Sequence, residues 1–227
     1  MHTEIPAELA DVLAAPQLPQ RAFPWIRNSW LNQMHDLPET LEMLHHLPER
    51  VDRDLVRQIV LAEITRGEVL AAFVAAMVWG YGDARYGAVR VRWVLTGIQE
   101  GAFYAPVRGD LAGLLATAAD VVRVEGPVEG FRYMNNAGRI KFLASAFFTK
   151  WLYFASALTD ADAPEAAPIL DKRVSDWLCK RADFTLDISR TPDYQRYLDT
   201  LTAWGLGYGS TPVQVERAIF GLATGRN

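Results

Sequence analysis

Apolar residues recur at three- and four-residue steps along nearly the whole chain, the period of helices that turn one face to a core. LPETLEMLHHLPE and RVDRDLVRQIVLAEITRG show this first, with Gly67 placed to stop the second of these helices. EVLAAFVAAMVW is apolar on every side, which predicts a central buried helix, and the glycine-rich WGYGDARYG ends it. AVRVRWVLTG alternates over a short span, but no partner strand is visible, so a short helix is favoured. GDLAGLLATAADVVRV reads as a helix with Asp110 as N-cap, and EGPVEGFRYMNNAG as a loop or short turn.

In RIKFLASAFFTKWLYFASAL, Leu143, Phe147, Trp151, Phe154 and Leu158 recur at steps of four, four, three and four, a helical core stripe. The polar, Pro-bearing linker TDADAPEAAP leads into DKRVSDWLCKR, a helix with Asp171 as N-cap and Val174, Trp177 and Leu178 facing inward. Two closing helices begin at Thr191-Pro192 and Thr211-Pro212, each threonine a cap, with Gln214 completing a capping box in the second. The pattern predicts an all-α fold of eight to ten helices, with residues 1–20 as a flexible N-terminus.

Composition narrows the class. With 227 residues, 50% hydrophobic and 22% charged, the chain can bury a sizeable core as one large domain or two small lobes. No apolar run reaches membrane-spanning length, and MHTEIPAELADVLAAP has no basic region of a secretory signal, so a cytoplasmic location is expected. The one cysteine, Cys179, rules out an internal disulfide framework. His2, His35, His45 and His46 form no metal-ligand spacing, so no metal site and no cofactor are expected. A net charge of -4 counts mildly against nucleic acid as a partner, but the charge is uneven. Residues 121–181 carry nine Lys/Arg against seven Asp/Glu, whereas residues 1–60 carry five against nine.

Candidate chemistry centres on SAFFTKWLYFA, where Lys150 stands in an otherwise apolar and aromatic run. Desolvation disfavours its ammonium form, and a neutral amine can attack an electrophilic carbon and form a Schiff base. Asp171 follows in PILDKRV, at the entrance of the next helix, where a carboxylate can accept a proton or stabilise a cationic transition state. The ordinary alternatives are a lysine whose head snorkels to water and an aspartate that only caps a helix.

FFTKWLYFA with ILDKRV, MVWGYGDARYG upstream and VERAIF near the end are similar to helix-hairpin-helix DNA glycosylases of the 8-oxoguanine type, closest to a bacterial branch. In that family a lysine follows an L-P-G-x-G-x-K hairpin, and the aspartate lies in a V-P-V-D-like unit about twenty residues on. The resemblance implies two helical lobes around a cleft, Lys150 as Schiff-base nucleophile, and Asp171 as catalytic carboxylate. It also implies a partner, double-stranded DNA with a lesion or modified base, whose target nucleotide is flipped out of the stack. The activity implied is that of a DNA N-glycosylase and AP lyase, acting as a monomer. This sequence departs from the pattern at the hairpin, where Ala146 and Phe148 take the places of glycines.

Around that core, Arg132, Arg139, Lys141, Lys172 and Arg173 are candidate phosphate contacts, and Asn135 and Asn136 either insert into DNA or make the turn. Trp79, Tyr81 and Tyr86 offer flat faces for a base, or pack at a helix end. The rival reading is a non-catalytic DNA-binding or protein-interaction module that keeps the fold.

Overall fold

The computed structural model describes residues 4–16 and 18–225; His2 and part of the expected flexible N-terminus lie outside them. Twelve helices make up the described chain. In order they are α1 (Ala7–Ala14), α2 (Arg27–Gln33), α3 (Pro38–His46), α4 (Arg53–Thr65), α5 (Val69–Tyr81), α6 (Gly87–Thr96), α7 (Leu111–Val124), α8 (Pro127–Asn135), α9 (Ser145–Ser156), α10 (Lys172–Ala182), α11 (Thr191–Leu206) and α12 (Pro212–Thr224). The fold is all-α apart from one antiparallel bridge, β1 (Phe23–Pro24) with β2 (Arg50–Val51). Among the described residues no helix is long and apolar enough to cross a membrane.

The apolar run of α5 becomes the central element, with Ala71–Trp79 all buried. Helices α3, α4, α6, α7 and α9 pack around it. A second layer forms where α10 and α11 meet α12, and α1 joins that layer. Residues 7–14 are therefore packed rather than free: Leu9 and Leu13 are buried, and Glu8 pairs with Arg181 at 3.1 Å.

Segment 125–138, expected as a loop, instead holds α8. Gly126 turns the chain at φ +93°, Pro127 fills N1, and Phe131 and Met134 bury one helical step apart. At α7 the Asp110 side chain makes no cap bond, because Arg108 holds its carboxylate at 2.6 Å and 3.0 Å. Thr191 is the first residue of α11 rather than its cap. Asp171 and Thr211 cap α10 and α12 as expected, the latter with Gln214 in a capping box. The connection from α6 to α7 is tied by Arg92, fully buried, which pairs with Asp36 and donates to the carbonyls of Ala102 (2.9 Å) and Ala105 (2.6 Å).

Candidate active site

Helix α9 is buried on almost every side from Phe148 to Ser156, and Lys150 in its second turn is 7% exposed. Its stem has room because residue 80 on α5 is glycine: a Cβ there would lie 2.8 Å from Lys150 Cδ. The ammonium donates to Ala146 O one turn back (2.8 Å) and sits 5.1 Å from the centre of the Phe147 ring. Asp171 Oδ2 is 3.6 Å from Nζ, an ion-pair contact just outside hydrogen-bond reach. Burial pushes the Lys150 pKa below the ordinary lysine value, against the opposing pull of Asp171 and Glu216.

Asp171 is fixed from two directions. Its Oδ1 accepts from the backbone N–H groups of Arg173 (2.9 Å) and Val174 (3.1 Å) at the start of α10, an anion on the positive end of the helix. The strap before it, Pro168–Leu170, is pinned by neighbouring side chains. Tyr194 and Tyr197 of α11 donate to Pro168 O and Ile169 O, both at 2.8 Å. Leu170 N donates to Thr149 Oγ1 (3.4 Å), next to the lysine on α9. Burial pushes both tyrosine pKa values up, which keeps these hydroxyls protonated and donating.

A second buried pair stands beside the first. Arg53 at the start of α4 meets Glu216 of α12 through two contacts, 2.9 Å and 3.4 Å. Its guanidinium lies over Tyr153 (4.8 Å) and Trp79 (5.1 Å). Burial pushes the Glu216 carboxyl up against the pull of Arg53. Burial alone would lower the arginine, but Glu216, with Tyr153 and Asp162, more than offsets it and the Arg53 pKa is raised. The two members are 163 residues apart in sequence, and sequence reading assigned neither.

The aromatic candidates separate. Trp79 is core: it is 9% exposed, donates to Gln20 Oε1 (2.9 Å) and stands edge-on to Phe154, so it offers no free face to a base. Tyr81 stacks on Phe147 (4.2 Å between centres, 20° between planes), and exposed Tyr86 meets Tyr81 edge-on. These rings run from the surface to the lysine.

Of the basic candidates, Arg132 is engaged by Glu129 and Lys172 by Asp176, each within its own helix, and Arg173 is exposed at the start of α10. Arg139 and Lys141 line a cleft of about 940 Å³, as do Asn135 and Asn136. Arg90, Arg108 and Arg190, which sequence reading passed over, line it too. Lys150 and Asp171 are not on its walls. Asn135 donates to Ser189 O (2.8 Å), and Asn136 closes the end of α8 by donating to Arg132 O. Ala146 and Phe148, aligned with hairpin glycines, lie inside α9; the turn itself is residues 136–144.

A family model described as "Putative 8-oxoguanine DNA glycosylase OGG-like protein" matches residues 16–220, nearly the full chain. The chain belongs to this OGG-like family. That match takes in both members of each buried pair and the whole cleft of the OGG-like protein. Comparison with curated proteins and with solved structures gives no match.

Proposed function

We propose that the OGG-like protein is a DNA glycosylase with AP-lyase activity, acting on an 8-oxoguanine-like or otherwise modified base. The observation that carries this reading is a desolvated lysine, its pKa depressed, held 3.6 Å from a helix-capping carboxylate. Family membership supports it. Arginine could not serve in that position, since it does not give up its proton; a buried lysine can.

With a flipped nucleotide at the site, the free Nζ attacks C1′ of the deoxyribose. The glycosidic bond breaks, and its electron pair leaves with the base. The proton shed by Nζ passes through the Asp171 carboxylate, which also faces the positive charge developing on the sugar. Opening of the sugar ring leaves an imine between Lys150 and C1′. Loss of a C2′ proton then expels the 3′ phosphate, which cuts the strand. Protonated Lys150 bonded to Ala146 O is a resting state, and the amine must lose a proton and leave that carbonyl before it attacks.

Borohydride reduction of the imine tests this directly. Incubation with duplexes carrying 8-oxoguanine, other lesions or an abasic site is expected to give a covalent protein–DNA adduct that is lost in Lys150→Gln. The second reading, a binding module, draws on the basic cleft that excludes both Lys150 and Asp171. Tight DNA binding with no adduct on any substrate would favour it and remove the catalytic assignment.

A further inference from the structure

The cleft beside the turn between α8 and α9 has three features that the chemistry at Lys150 does not use. Most of its cations lack a carboxylate partner: Arg108 pairs with Asp110, but Arg90, Arg139, Lys141 and Arg190 form no ion pair among the described residues, and none of the lining residues is acidic. Elsewhere in this acidic chain, arginines and lysines are repeatedly matched with nearby carboxylates, as at Arg132, Lys172 and Arg196. Its floor is apolar, with Met134, Ile140, Leu143 and Phe148 all buried. Its wall carries a strained aromatic residue. Phe142 has φ +68°, a conformation that bulky L-residues avoid and that tends to persist where function requires it. The Phe142 ring is partly exposed, edge-on to Trp93 (6.1 Å), with the Lys141 ammonium 4.8 Å from its centre.

An apolar floor with a flat ring and a cationic rim suits a ligand that is planar and apolar at one end and anionic at the other. A polynucleotide with its bases unstacked has that form. Inorganic phosphate would leave the floor unused, and a fully paired duplex presents phosphates but no free base face. At about 940 Å³ the cleft is at the upper end of the usual range for ligand sites, roughly 300–1,000 Å³, so it has room for more than a single phosphate group.

We propose that this cleft is a second binding site, separate from the lysine, for a single-stranded stretch of DNA. A base stacks on Phe142, and its flanking phosphates lie among Arg90, Arg139, Lys141 and Arg190. The proposal rests on the reading that DNA is the partner, but not on the chemistry of Lys150. It directs the protein to DNA with unpaired nucleotides, such as overhangs, gaps and frayed ends.

Fluorescence anisotropy with wild-type protein and undamaged oligonucleotides tests it without any chemistry intruding. A labelled single strand should bind more tightly than a hairpin-closed duplex of the same sequence. Arg139→Ala with Lys141→Ala should weaken single-strand binding and flatten its salt dependence. The deciding variant is Phe142→Gly, which relieves the positive φ and removes the ring. It should weaken single-strand binding about tenfold or more while the protein stays folded, which its melting curve checks. Equal affinity for strand and closed duplex, or unchanged single-strand binding in Phe142→Gly, overturns the proposal. Borohydride adducts without single-strand preference would remove this site and leave the glycosylase reading standing; the reverse result would do the opposite.

Discussion

Arg53–Glu216 and Lys150–Asp171 are both buried cation–carboxylate pairs, and each feels the other's charge, yet they are built to opposite ends. The arginine pair is closed. Its partners meet through two contacts, the shorter 2.9 Å, between side chains only 4% and 1% exposed, and aromatic rings flank the guanidinium. The lysine pair is loose: 3.6 Å apart, its side chains 9% and 16% exposed, with the amine bonded to its own helix instead. A guanidinium keeps its proton and gains from a fixed, forked geometry, whereas an ammonium in a dry place is a proton donor waiting for a base. One pair ties α4 to α12; in the other, burial lowers the pKa of an amine that is not locked to its partner.

The largest effect should come from breaking the closed pair. Arg53→Met leaves Glu216 buried and alone, which should cost about 3–5 kcal/mol by chemical denaturation. Arg53→Met with Glu216→Leu should recover most of that loss. If the single and double variants are equally unstable, the pair is not what Arg53 contributes. Next in size is Gly80→Ala, whose new methyl meets the lysine stem at 2.8 Å. We expect about 1–3 kcal/mol of destabilisation, and displacement of Nζ by even 1 Å should slow adduct formation about 100-fold. Normal trapping by Gly80→Ala would mean that the amine is not held to one place.

Asp171→Asn separates the two roles of the aspartate. Asparagine caps a helix about as well, so loss of the cap itself should account for only a few tenths of a kcal/mol. Adduct formation should nonetheless fall sharply, because the amide can neither take a proton nor face a cation. The smallest effect is the pH dependence of stability. Since burial lowers the folded Lys150 pKa beneath 10.5, the unfolded chain holds more protons in the window between the two values. Stability from this group therefore rises with pH through that window, and its burial cost is fully present below the folded value. Lys150→Gln should flatten that rise in denaturation curves, and wild-type trapping should speed up with pH and level off below 10.5.

Much of the frame was legible because periodicity and capping chemistry are local. The uniformly apolar α5, the Asp171 cap and the Thr211–Gln214 box needed only neighbouring residues to be read. Helix α8 was missed because Gly126, Gly130, Asn135 and Asn136 dilute a pattern whose core consists of Phe131 and Met134. Asp110 looked like a cap because its competitor, Arg108, acts through a side chain rather than through the backbone. The apolar stripe drawn from Leu143 to Leu158 was too narrow: α9 buries nearly its whole surface, and Leu158 lies beyond its end, 47% exposed. At the site, Lys150 stood out as a charge in an aromatic run. Arg53, Glu216, Gly80 and the strap-holding tyrosines did not, because each matters only through a partner distant in sequence. Trp79 carried an aromatic label that fitted a cleft wall equally well; only its neighbours Gln20 and Phe154 assign it to the core.

Thr149 and Lys150 are consecutive on α9, and the hydroxyl of the first receives the N–H of Leu170, the residue directly before Asp171. The spacing of amine and carboxylate is thus registered within a single turn of one helix. Any shift of the Pro168–Leu170 strap against α9 has to break this bond, so the helix that carries the amine also restrains the carboxylate's approach.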